Sequence, residues 1–207
     1  QTRLDTLGDS VKIIDDIMPK ILQSGFDGIF LVITNPCDVI THYIWKKSGF
    51  PKNRVIGSGT SLDSARFKRI TADILNIDPK SVLGYSLGEH GDSQMIPWSH
   101  VYIGGKPFLE YKKGKEVLKD LDLTKILKET SYAGWEVLLG KGDSCFGIGT
   151  VAATLVKSIF NNENKIYPLS VYLDGEYGVN DVYISVPAVL GNNGITEIIE
   201  LELPERE

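Results

Sequence analysis

The sequence predicts an α/β chain built in two styles, the tail of a parallel sheet followed by an α+β part with antiparallel strands. Up to about residue 59, short apolar strands alternate with helix-length amphipathic stretches, the pattern of a parallel unit. Past Pro79 the segments are short and alternating and are bounded by Gly-Gly and Asp-Gly turns, the pattern of hairpins. Two longer stretches of helical period lie between those hairpins.

The elements follow in order. Val11, Ile13, Ile14, Ile17, Met18 and Ile21 recur at three-to-four spacing and predict a helix over 9–22 with that face inward, ended by Gly25. Gly28 to Ile33 reads as a strand buried on both faces, as in a helix-covered parallel sheet. Asn35-Pro36 opens a helix that runs to about Lys47 and is closed by Ser48-Gly49. Arg54 to Gly57 is a short strand, and the turn through Thr60 leads into a helix over 61–75. Two strands are too few for a self-sufficient sheet, so part of the sheet is expected outside this chain. The opening at Gln1, in what reads as a loop, gives the same expectation of a fragment or the ordered part of a longer chain. Beyond residue 79 we expect antiparallel strands over 82–86 and 99–103 with a Gly104-Gly105 turn, then helices over 122–140 and 146–160. Strands over 168–173, 182–190 and 195–203 complete the chain, and the boundary between the two styles falls near residue 60.

Composition narrows the function classes. With 42% hydrophobic and 24% charged residues in 207, the chain lies in the ordinary globular range. A net charge of −5 argues against a general nucleic-acid or anionic-membrane binder, which needs a cationic face. No apolar run approaches the roughly 20 residues that span a bilayer. Cys37 and Cys145 are too few for a disulfide framework, so a cytoplasmic setting is expected. No CxxC or HExxH spacing occurs, and no metal is expected.

Chemistry concentrates in two stretches. Gly88-Glu89-His90-Gly91-Asp92-Ser93 places one imidazole in a glycine-flanked loop between carboxylates. Such an imidazole titrates near neutrality and can hand a proton to a carbonyl oxygen. Leu62-Asp63-Ser64-Ala65-Arg66 puts a carboxylate and a guanidinium three apart on one helix face, the first to hold an imidazole, the second to hold an anionic substrate by two prongs. The bland alternative for Asp63 and Arg66 is an ordinary surface ion pair. His42 and His100 read as structural residues within a helix and a strand, and Cys37, at a helix start, as a small packing residue. No GxGxxG occurs, so any dinucleotide phosphate site is expected outside the chain.

These motifs, with Ile33-Thr34-Asn35-Pro36, Ser170-Val171-Tyr172 and Ser185-Val186-Pro187-Ala188, resemble in order and spacing the L-lactate dehydrogenases and the wider L-2-hydroxy acid dehydrogenases along the whole chain. The resemblance implies that residues 1–59 are the C-terminal part of an NAD-binding Rossmann domain and 60–207 a lactate/malate dehydrogenase-type catalytic domain. It implies NAD as cofactor and a homotetramer that interconverts pyruvate and L-lactate in glycolysis and fermentation. His90 is then the proton carrier, Asp63 its orienting carboxylate, Arg66 the substrate-carboxylate holder and Arg3 the mobile-loop arginine that polarises the carbonyl. Asn35 sits beside substrate and nicotinamide, Thr34 and Ser58 line the nicotinamide pocket, and Ile148 packs on its ring.

The departures from the family pattern matter. The leading half of the nucleotide domain and the usual C-terminal helix are absent from the sequence, so the 207 residues alone are expected to be inactive. The substrate-pocket threonine aligns with Ser144, one methyl smaller, worth about 1 kcal/mol of pocket packing and a hint of broader substrate range. The loop residue that separates lactate from malate users falls upstream of Gln1; the motif pair favours the lactate branch. L-2-hydroxyisocaproate dehydrogenase is the nearest alternative, and a non-catalytic folding or oligomerisation fragment is the alternative of another class. The cations that hold fructose bisphosphate in activated bacterial relatives align with Lys68 and Leu83, so weak or absent activation is expected.

Overall fold

A computed structural model describes residues 6–207. In chain order the elements are α1 (Leu7–Gln23), β1 (Phe30–Val32), α2 (Cys37–Ser48), β2 (Val55–Gly57), α3 (Ser61–Leu75), β3 (Val82–Leu83), β4 (Tyr102–Ile103) and β5 (Lys106–Pro107). There follow α4 (Phe108–Lys113), α5 (Leu123–Lys141), α6 (Cys145–Phe160), β6 (Lys165–Asp174), β7 (Asn180–Gly191) and β8 (Gly194–Ile198). The expected α/β class holds, with both parallel and antiparallel pairing.

One five-stranded sheet, in the order β1-β2-β6-β7-β8, crosses the expected boundary near residue 60. β1 and β2 are parallel, and β2 meets β6 antiparallel through the single pair Gly57 and Ser170. Gly57 is required at that junction, because a Cβ there would lie 2.7 Å from both Ser170 Cβ and Thr41 Oγ1. A separate three-stranded antiparallel sheet, β3-β4-β5, turns at Gly104-Gly105 as expected.

Three apolar clusters hold the elements. Ile14 and Met18 of α1 meet Val32, Ile40, Ile44 and Val55; Leu155 of α6 meets Ile56 and the β6 and β7 residues Leu169, Val171, Val186 and Leu190. Phe67 of α3 meets Val82, Val101, Phe108 and Ile126. The last of these places α3 between the small sheet and α5, and so fixes the helix that bears Asp63 and Arg66.

Four expectations are corrected. The first helix buries only Ser10, Ile14 and Met18, and Ile13 is 60% exposed. Its i, i+4 stripe meets α2, and the neighbouring isoleucines turn outward. β1 is three residues long and half-buried instead of sealed on both faces, because it is the edge strand of the described sheet. The strands expected over 82–86 and 99–103 contract to two-residue ladders, and His100 sits in a 3-10 turn over Trp98–His100. The final strand stops at Ile198: beyond it the Tyr177 hydroxyl donates to Ile199 O and accepts from Leu201 N–H, replacing ladder bonds with a side chain.

Candidate active site

The two motifs of the sequence meet at one cavity. His90, Arg66, Asn35, Ser58, Ser144 and Ile148 all line it, with Ile33, Leu62, Gly134, Trp135 and Leu138 between them. Thr34 is exposed, and its neighbour Ile33 faces the cavity instead. Arg3 lies outside the described residues.

α3 starts at Ser61 behind the Thr60 N-cap and presents Asp63 and Arg66 on one face, as their spacing predicts. Asp63 is completely buried, which overturns the surface-pair alternative. Its Oδ1 accepts from Arg66 Nη1 at 3.0 Å, and its Oδ2 lies 2.5 Å from His90 Nδ1, which donates because a carboxylate only accepts. A buried carboxylate is tolerable only when paired and hydrogen-bonded on both oxygens, and here it is. With Nδ1 committed, Nε2 is the nitrogen that His90 has left for the cavity.

The loop that carries His90 is cinched from several directions. Gly88 pairs with Ser185 by two main-chain bonds of 2.9 and 3.0 Å and has φ +90°, a conformation that favours glycine. Leu87 and Met95 close the loop by a second bridge. Buried Gln94 donates to Gly91 O at 2.9 Å and accepts from Ser86 Oγ, while Ser64 of α3 accepts the Ser86 N–H. Glu89 folds back to accept from Ser93 Oγ at 2.6 Å. The main-chain N–H of His90 donates to Asp38 of α2 at 2.9 Å. Asp38, Gln94 and Ser86 carried no periodicity or motif that would have singled them out.

Arg66 spends one nitrogen on Asp63 and keeps the rest of its fork toward the cavity. Gly134 of α5 leaves that space open: a Cβ there would come within 3.3 Å of Arg66 Nη1 and 3.4 Å of Nη2. The wall beyond, from Glu136 to Gly147, is exposed at every residue and includes Ser144.

The rest of the lining mixes apolar and polar surface. Ile33 and Ile148 offer apolar faces, and Asn35 and Ser58 offer polar edges. Cys37, just behind it, is fully buried and its thiol is pushed up to about 11 by desolvation, which fits the packing role. Among the described residues no group of three or more His, Cys, Asp or Glu converges as metal ligands, and no helix is long and apolar enough to cross a membrane.

Comparison with known proteins gives the family of the chain. Residues 60–207 match the lactate/malate dehydrogenase alpha/beta C-terminal domain and residues 1–57 the lactate/malate dehydrogenase NAD binding domain. The chain is 51% identical over 208 residues to L-lactate dehydrogenase 3 of Bacillus thuringiensis, covering 100% of this chain and 66% of that protein. It is 47% identical to the L-lactate dehydrogenase of Lacticaseibacillus casei, with 100% and 64% covered. The solved minor L-lactate dehydrogenase from Enterococcus mundtii, in its ligands-bound form, superposes with a TM-score of 0.94 at 43% identity, covering 100% of this chain and 66% of that one. The chain thus spans about two thirds of the length of the relatives it matches.

Proposed function

The chain belongs to the lactate/malate dehydrogenase family, and on that premise we propose that it serves an NAD-dependent L-lactate dehydrogenase that interconverts pyruvate and L-lactate. The observation that carries this reading is the unbroken chain Arg66–Asp63–His90 on one cavity, which Asn35 also lines. The bound cofactor supplies the hydride chemistry. Arg66 holds the substrate carboxylate through the part of its guanidinium not engaged by Asp63. His90 donates the Nε2 proton to the keto oxygen, and in the reverse direction takes it from the hydroxyl. Asp63 keeps the ring oriented and stabilises its protonated form, as a carboxylate beside an imidazole does. Asn35, Ser58, Ile33 and Ile148 seat the nicotinamide. The family resemblance gives Arg3 the part of polarising the carbonyl, and Ser144 bounds the substrate side chain.

The same reading places residues 1–59 in the nucleotide-binding domain and 60–207 in the substrate domain, in a cytoplasmic homotetramer, on family grounds. Activation by fructose bisphosphate is expected to be weak: Lys68 faces the Tyr85 ring at 5.3 Å, and Leu83 is 53% exposed and cannot pair with phosphate. A second reading, reduction of longer 2-oxo acids such as 2-oxoisocaproate, is favoured by the small residues Gly134 and Ser144 on the substrate wall. NADH oxidation by pyruvate, 2-oxoisocaproate and oxaloacetate ranks the readings. The primary one expects the highest kcat/KM with pyruvate; the absence of turnover with all three would leave the non-catalytic fragment as the surviving alternative.

A further inference from the structure

His90 is gripped by a second carboxylate. Asp38 Oδ2 accepts its main-chain N–H at 2.9 Å, from a helix 52 residues earlier in the chain. Asp38 stands in the first turn of α2, behind the Pro36 N-cap, and Asn35 just before that cap lines the cavity. One helix start therefore bears on both the Asn35 part of the lining and the anchor of His90. Asp38 Oδ1 and the Ser170 hydroxyl are both sealed from solvent, near enough for the hydroxyl to bear on the carboxylate but outside normal hydrogen-bond geometry. Desolvation pushes the Asp38 carboxyl up, while Ser170 and the His90 amide hold it down. Asp63 has Arg66 as a cation, whereas no cation pairs with Asp38 among the described residues. A carboxylate serving only the helix terminus would sit in solvent near the first-turn amides. This one is partly buried, with Oδ1 sealed from solvent, and spends its hydrogen bond on the proton carrier's backbone.

We infer that Asp38 is a positioning residue: its carboxylate fixes the main chain of His90, and with it the point where the imidazole meets the substrate oxygen, while Asp63 fixes the direction of the ring. The inference rests on His90 being the proton carrier. Asp63 holds the ring by one end and the Gly88–Ser185 and Leu87–Met95 bridges hold the base of the loop, so the loss of Asp38 loosens the main chain at His90 itself, where a displacement of about 1 Å is enough to cost roughly 10²-fold in rate. Arg66 is anchored separately on α3, so substrate binding is largely spared.

The test compares Asp38→Ala with Asp38→Asn in the intact protein. Asp38→Ala is expected to lower kcat roughly ten- to hundredfold while KM for the 2-oxo acid stays within about threefold. Asp38→Asn, whose amide oxygen still accepts the His90 N–H and whose amide protons can reach Ser170, is expected to recover most of that kcat. Parent-like turnover in Asp38→Ala, or equal losses in the two variants, would overturn the proposal. A readout free of turnover is the backbone amide resonance of His90 in protein labelled with [15N]histidine, assigned by its loss in His90→Gln. It is expected to move in Asp38→Ala and to return toward its parent position in Asp38→Asn; an unmoved resonance overturns the anchor. A parent that reduces no 2-oxo acid while this resonance responds as expected would instead count against the function.

Discussion

On one side of the cavity His90 is held by a main-chain bridge to β7, by Asp38 of α2, by Asp63 of α3 and by the Ser86–Gln94 network behind its loop. On the other side the α5–α6 junction, from Glu136 to Gly147, is exposed at every residue and contributes Ser144 to the substrate wall. The difference assigns different tasks. Proton transfer requires a group fixed within hydrogen-bond reach before the substrate arrives, and bonds at main chain and ring together supply that. The exposed wall bears on which side chain is accepted, where each methylene is worth only about 1–3 kcal/mol.

The contrast breaks most visibly at the fixed wall. Asp63→Asn removes the carboxylate that joins ring to guanidinium, and kcat is expected to fall by about 10²-fold, within the roughly 10²–10⁴ that general acid–base catalysis contributes. Steady-state kinetics alongside thermal melting check this; a melt like the parent's with a parent-like kcat would show that the ring needs no carboxylate to orient it. Arg66→Lys trades a planar fork for a point charge and loses a charge-assisted bond worth about 1.5–3 kcal/mol, so KM for pyruvate is expected to rise roughly 10–100-fold with a smaller change in kcat. The smallest effect is at the exposed wall. Ser144→Thr adds one methyl, about 1 kcal/mol, and is expected to shift the kcat/KM ratio about fivefold from 2-oxoisocaproate toward pyruvate. A larger effect at Ser144 than at Asp63 would invert the comparison.

The same contrast governs how much was legible in the sequence. α3 occupies 61–75 as its turn and period predict, and α5 starts at the Asp122 N-cap and ends at left-handed Gly142, because caps and periodicity are local. The pairing of Asp63 with His90 was legible only as an expectation from residue type and motif, and the burial that excludes a surface pair was not. The Asp38 anchor, the Gln94 brace and the junction of Gly57 with Ser170 join residues far apart in sequence and leave no local signature. Which of Ile33 and Thr34 faces the cavity depends on where β1 ends, a position set by its edge placement in the sheet. Tyr177 ended the last strand by a contact equally remote from its own position.

The central claim is that His90 Nε2 carries the proton of a 2-oxo acid reduction. The direct measurement is NADH oxidation by pyruvate with the intact protein and its His90→Gln variant, together with NADH binding followed by fluorescence. The account predicts that NADH binding persists in the variant while turnover falls by roughly 10²–10⁴-fold. Turnover in His90→Gln at the parent rate would contradict it.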